Sequence, residues 1–361
     1  MRRAQGDNLI ESIASQAPNS DSPRRVARFA RQAVGYIIAL VCLTWVIHDI
    51  DARKILSQVS NINWGWIAVG ISCDFLSYLI QGYRWQLLLK PVGSISIVRT
   101  TQAIYSGLFT NEILPLRTGE LVRGYLISRW LGVRLVNVIP SVMVERFFDA
   151  LWLGMGVAVT AILVTLPRDL MRAADILGVL VLILITIFIY LVVRREKELD
   201  ENGKQAPSGW GILGAISSLL TRLASGVKAI GASPTFYLAL AASSFFIVFQ
   251  ILALWFVMIG YGIALPIWTG AAVAMILLLG VAIPNAPSNI GTYQFFIVIG
   301  LTLFGVDKTT ATGFSMVAFV VLTAPLWLLG SFAIARTGIK VRDIRSQISA
   351  SVKRPPETLG R

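Results

Sequence analysis

Residues 176–193 read ILGVLVLILITIFIYLVV, with no charge among them and Asp175 and Arg194 at their borders. Eighteen apolar residues are enough to carry an α-helix through a hydrocarbon core of about 30 Å. This stretch is expected to be a transmembrane helix, and the rest of the chain agrees with it. Of 361 residues, 55% are apolar and only 14% are charged, with a mean hydropathy of +0.71. Soluble domains carry about 25% charged residues, so a water-soluble fold is disfavoured.

Working outward, further apolar segments are expected to span at about 33–47, 64–89, 147–166, 236–260, 263–283, 290–305 and 309–335. The total is eight crossings, an even number that places both termini on one side. Residues 1–31 hold six Arg against three acids, with Pro18 and Pro23 interrupting any helical pattern, and are expected to be a flexible basic tail without the apolar core of a cleavable signal. Residues 32–336 form the membrane domain, and 337–361 a second basic tail; after Ser331 there are seven Lys or Arg and two acids. The linker at about 194–233, with six basic and four acidic residues, falls on the same side. Lys and Arg gather on cytoplasmic flanks, so both termini and the linker are expected there.

The net charge of +13 is explained by those flanks, which attract anionic lipid at about 1 kcal/mol per residue near the surface. Nucleic acid is not an expected partner. Two cysteines, Cys42 and Cys73, lie inside apolar segments, and the single histidine, His48, ends one. Neither a thiolate or His-based metal centre nor a Ser-His-Asp triad is expected, and no cofactor is expected. No nucleotide-binding loop is present.

One stretch resists simple alternation. Between Thr100 and Leu135, apolar residues are interleaved with Asn111, Glu112, Pro115, Arg117, Gly119, Glu120, Arg123, Arg129 and Arg134. Pro115 cannot donate a backbone hydrogen bond and Gly119 permits unusual dihedrals, so NEILPLRTGELVR is expected to be two short helices joined by an unwound turn. The second half repeats the device in IPNAPSNIGTYQ, residues 283–294: Pro287-x-x-x-Gly291 has the spacing of Pro115-x-x-x-Gly119, and Asn285 precedes it as Asn111 precedes the first. Non-helical backbone at membrane depth survives only in protein or along a watery cavity. Paired interruptions in two halves point to a transport site near the midplane. The expected fold is therefore an all-α polytopic membrane bundle of about eight transmembrane helices, with re-entrant or broken helices in two related halves.

The candidate substrate-binding set is Asn111, Glu112, Pro115, Arg117, Gly119, Glu120, Arg123, Glu145, Arg146, Asp149, Asn285, Asn289 and Gly291. Charges inside a bilayer face a cavity or one another. Arg117 and Arg123 suit bidentate capture of phosphate, aided by the positive end of a helix beginning near Gly119. Asn111, Asn285 and Asn289 supply neutral hydrogen bonds. Arg146 and Asp149, three apart, are either part of that site or a buried ion pair that fixes packing. Glu120 either stabilises the start of its helix or meets a cationic headgroup. Asp74, Tyr78, Gln81 and Arg84 form one polar stripe on the second span, in which Asp74 is expected to be structural.

The ordered motifs Arg84-Trp85-x-x-Leu88-Leu89, Phe109-x-Asn111-x-x-Leu114-Pro115-x-Arg117-x-Gly119-Glu120-x-x-Arg123, Glu145-Arg146-x-x-Asp149 and Pro284 to Gln294 resemble the flippase-like transmembrane domain of lysylphosphatidylglycerol synthetases, which also occurs as stand-alone membrane proteins. The likeness covers about residues 33–336, with Gln294 where many relatives carry Glu. It implies movement of a lipid between leaflets or handling of a lipid-linked headgroup in a bacterial inner membrane. The soluble aminoacyl-transferase domain of bifunctional members is missing, so synthesis of lysyl-lipid is not expected. The expected partners are anionic or zwitterionic phospholipids or a polyprenyl-linked glycan. Two alternatives stay open: a non-catalytic partner of a separate synthase or glycosyltransferase, and a headgroup-modifying enzyme using Glu120, Glu145 or Asp149 as general base.

Overall fold

A computed structural model describes residues 22–114, 118–163, 234–282 and 286–338. Among them are ten α-helices and no strand: α1 (Ser22–Ile47), α2 (Ala52–Ser60), α3 (Trp64–Leu89), α4 (Ile97–Ile113), α5 (Gly119–Leu131), α6 (Leu135–Leu163), α7 (Pro234–Tyr261), α8 (Ile267–Ala282), α9 (Thr292–Leu303) and α10 (Lys308–Ala335), with a 3-10 turn at Pro287–Asn289. The expected span at 176–193, the linker, residues 1–21 of the first tail and 339–361 of the second lie outside the described residues; residues 22–31, expected to be flexible, instead form the start of α1, where Pro23 sits in the first turn and its missing N–H interrupts nothing. By length and apolarity alone, α7 and α10 each suffice to cross a membrane, and α1 with α2 makes a third candidate bent by 85°.

The bundle has two recognisable ends. At the first, α2 lies across the bundle: its Asp51 N-cap accepts from the backbone N–H of Arg53 at 2.9 Å. Lys54 pairs with Asp307 at 2.9 Å, Gln58 donates to Thr310 at 2.7 Å, and Tyr261 donates to Gln58 at 3.1 Å. Asp307 caps α10; partial burial would raise its carboxyl, but the Thr310 hydroxyl and N–H together with Lys54 outweigh that and lower it to about 2. Asn63 donates its N–H to the Gly260 carbonyl at 2.8 Å, placing the start of α3 beside the end of α7. At the second end, Thr235 at the start of α7 donates to the Leu87 carbonyl, and Gln102 donates to the Ala333 carbonyl. Helices α3 and α7 are therefore antiparallel across the whole bundle. They approach closely because Gly70 faces Ala253 and Val257, and Gly260 faces Ile67, the small-residue packing that lipid-embedded helices rely on where apolar burial drives little association.

The interrupted segments explain the rest. Helices α4 and α5 form a hairpin whose outer ends both lie at the second end: Gly93 sits against Leu131, and Arg99 lies over the Trp130 ring at 5.9 Å. The expected break is present between Ile113 and Gly119. Helices α8 and α9 form a second hairpin that opens at the first end, between the α7–α8 turn and the Gly305–Lys308 turn. Segments 263–283 and 290–305, expected to cross separately, thus enter and return together. Residues 286–291 sit at mid-depth, not at the far end. Gly291 abuts Ala39, eight residues (about 12 Å of helix) from the end of α1, and Asn289 shares a cavity with Asp74, about 15 Å along α3 from Trp64.

Candidate functional site

The two hairpins enter from opposite ends and meet at their tips. The hydroxyl of Ser288 donates to the Glu112 carbonyl at 2.8 Å. That carbonyl lies in the last turn of α4, which ends at Ile113 with Leu114 extended, so it is one of the end carbonyls for which a helix has no partner of its own. Glu112 also accepts from the Trp327 indole at 3.4 Å. On the other side of the contact, Ser288 and Asn289 have φ of 59° and 51°, a left-handed conformation that costs non-glycine residues energy and is found at functional sites. Gly291, at φ 87°, completes the turn; its N–H is accepted by Gln294 at 2.7 Å, so the glutamine closes the start of α9.

Beside this junction lies a cavity of about 180 Å³. Asp74 and Tyr78 reach it from α3, Glu112 from α4, Gln250 from α7, Ser288 and Asn289 from the turn, and Tyr293 from α9. Leucines of α7, α8 and α10 form its apolar wall. Asp74 is buried and receives one hydrogen bond, from Gln250 at 3.3 Å; the same amide donates to Ser77 at 2.6 Å.

A second polar layer lies nearer the second end, about one and a half helical turns along α3, or roughly 8 Å from Leu89. Arg84 is fully buried and bridges Glu145 and Asp149, each at 2.7 Å. Arg123 pairs with the other oxygen of Glu145 at 2.8 Å and stacks over the Trp85 ring at 4.8 Å. Gln81 donates to Glu145 at 3.0 Å. At the margin, Arg146 joins Asp149 at 3.1 Å and Glu120 at 3.2 Å. These marginal side chains are 46% (Arg146), 32% (Glu120) and 26% (Asp149) exposed, whereas Glu145 is not exposed at all. Three arginines meet three acids, so the layer is neutral with a buried core and an open lip.

The geometry sorts the sequence-derived candidates. Glu120, Arg123, Glu145, Arg146 and Asp149 come together in the charged layer, and Glu112 and Asn289 at the cavity. Asn111 serves the hairpin itself: its side-chain oxygen accepts the Gly119 N–H at 2.7 Å. Gly119 is needed for close approach, because a Cβ there would collide with the Gly107 carbonyl of α4. Pro115, Arg117 and Asn285 lie outside the described residues. Arg84 was absent from the candidate set although it anchors the charged layer. Its place on the polar stripe of α3 was the available signal. Ser288 and Tyr293 lay within the interrupted stretch 283–294, whose position was the available signal, whereas Gln250, a lone polar residue in an apolar helix, carried none.

Known proteins resemble this chain across much of its length. A UPF0104 membrane protein of Methanothermobacter thermautotrophicus is 25% identical over 172 residues, covering 47% of this chain and 48% of that one, so the match spans about half the relative's length. Another UPF0104 membrane protein, from Methanocaldococcus jannaschii, is 20% identical over 312 residues, 80% of this chain and 90% of the relative. The glycosyltransferase AglD of Haloferax volcanii is 23% identical over 128 residues, 35% of this chain and 20% of that enzyme. No solved structure matches. The family described as Lysylphosphatidylglycerol synthase TM region matches residues 32–330, and with that match the chain belongs to this family of multi-pass integral membrane proteins.

Proposed function

We propose that the protein moves a lipid, or a lipid-linked headgroup, between the two leaflets. The observation that carries this reading is the tip-to-tip meeting of two opposed hairpins beside a polar cavity, at the joint between Ser288 and Glu112. A headgroup crossing hydrocarbon needs polar partners at every depth. The open lip of Glu120, Arg146 and Asp149 supplies them on the second-end side of the cavity, and the cavity supplies them at mid-depth. Arg146 and the α5 N-terminus suit the phosphate of an anionic or zwitterionic phospholipid or of a polyprenyl-linked glycan. Acyl chains stay in the surrounding lipid. Opposed hairpins also divide the path into two halves that can open alternately.

The test is leaflet exchange of headgroup-labelled phospholipids in reconstituted vesicles. Arg146→Gln and Glu120→Gln alter the exposed lip and leave the buried Arg84–Glu145 pair intact. Each is expected to slow exchange by roughly tenfold, about 1.4 kcal/mol, with no change in unfolding temperature. Exchange no faster than in protein-free vesicles, across phospholipids and a polyprenyl phosphate, refutes the proposal.

The similarity to glycosyltransferase AglD favours one second reading, a non-catalytic membrane partner of a synthase or glycosyltransferase that handles the same headgroup. Co-purification of such an enzyme, unchanged by Glu120→Gln, with no lipid exchange, would select it.

A further inference from the structure

The two polar layers differ in charge balance. In the charged layer every acid faces an arginine. In the cavity, Asp74 and Glu112 approach from two different helices, and among the described residues no Lys, Arg or His lines it. Asp74 is 6% exposed and its Oδ1 receives one long hydrogen bond, from Gln250. No described group donates to its Oδ2, and the side chain lines the cavity. Glu112 receives a similarly long bond from Trp327 and a second from the Ser288 hydroxyl, both neutral donors. The other titratable groups facing Asp74 are Tyr78 and Cys73 on its own helix, Tyr105 on α4 and Tyr293 on α9, none of which carries positive charge. An ionised carboxylate without a partner is strongly disfavoured in such surroundings. Two of them around one enclosed space call for a positive charge from outside the protein.

We propose that this cavity is a binding site for one compact monovalent cation, a proton or an alkali-metal ion, held between Asp74 and Glu112. The available partners are hard oxygens: the two carboxylates, the Gln250 amide, and the hydroxyls of Tyr78 and Ser288. Such donors suit a small hard cation, and the carboxylates alone suffice for a proton. Binding at this place links the cation to the hairpin joint, since Glu112 supplies a cavity carboxylate by its side chain and the acceptor for Ser288 by its backbone. The role of the cation, to drive or gate headgroup movement, rests on the translocation reading; its binding does not.

The two are therefore measured separately. Purified full-length protein in nanodiscs is titrated with radioactive sodium and, in parallel, with potassium in competition. Carboxyl protonation is followed by infrared difference spectroscopy between pH 5 and pH 8. An alkali-metal site predicts saturable sodium binding of one ion per chain, reduced at least tenfold in Asp74→Asn and Glu112→Gln. A proton site predicts no saturable sodium binding and a protonated-carboxyl band that is missing in Asp74→Asn. The wild-type measurements stand alone should either variant fail to fold. Absence of both signals in wild-type protein overturns the inference, whatever the exchange assay shows. Cation binding without lipid exchange would instead keep this inference and discard the proposed function.

Discussion

Arg84 shows what a single residue can anchor and how little of that is visible along the chain. Its guanidinium touches Glu145 and Asp149 from another helix, 61 and 65 positions away, while the Arg146–Asp149 contact joins residues three apart. Spacing on one helix makes the second pair readable from sequence; the first needs α3 laid against α6, which periodicity does not specify. The exposure also reverses expectation, since the readable pair lies at the open lip, whereas Arg84 and Glu145 are completely enclosed. Removing one partner from an enclosed pair strands the other, at a cost of about 3–5 kcal/mol. Arg84→Met is therefore expected to abolish the monodisperse folded protein in detergent, whereas Arg84→Met combined with Glu145→Gln recovers part of the stability by removing a charge from each side. Unfolding followed by size-exclusion chromatography after heating measures both, and a wild-type transition in the single variant would remove Arg84 from its anchoring role.

At the scale of elements, the α4–α5 hairpin was the most readable part of the molecule, because Pro115 and Gly119 are chemical reasons for a break. The packing that holds it closed was not readable. It depends on Gly107, half a helix earlier, presenting its carbonyl where any side chain on Gly119 would go. Backbone meets backbone there, so no rotamer change relieves the clash. Gly119→Ala is expected to cost about 1–3 kcal/mol by forcing the helices apart and to loosen the Asn111 bond to the Gly119 N–H. Gly154→Ala on α6, where an added Cβ meets nothing within 4 Å, is the matched control and should be neutral or stabilising by up to about 1 kcal/mol. Thermal unfolding of the two variants in one detergent compares them directly; equal midpoints would mean that close approach at Gly107 is not what closes the hairpin.

For the molecule as a whole, hydropathy marked the apolar helices among the described residues but not which of them turn back. Segments 263–283 and 290–305 have the composition of spans, and only the meeting of residues 286–291 with Ala39, Glu112 and the Asp74 cavity shows that they return at mid-depth. Orientation, by contrast, gains from folding. Once the turns are gathered by end, the first holds Arg53, Lys54 and Lys308 against Asp49, Asp51 and Asp307, and so is balanced. The second holds Lys90, Arg99, Arg129, Arg134 and Arg336 with no acid among its described turns. Since Lys and Arg gather on cytoplasmic flanks, a difference of five positive charges between the ends predicts that the second end faces the cytoplasm. Helix α1 runs toward the balanced end and α10 away from it, which agrees with termini on one side. The prediction is tested in a variant lacking Cys42 and Cys73 that carries a single cysteine at Asp49 or at Lys90. A membrane-impermeant maleimide applied to intact cells should label Asp49→Cys directly and Lys90→Cys only after permeabilisation. The opposite pattern would invert the bundle, turning the charged lip of Glu120, Arg146 and Asp149 toward the outer leaflet and reversing the side from which a headgroup first meets it.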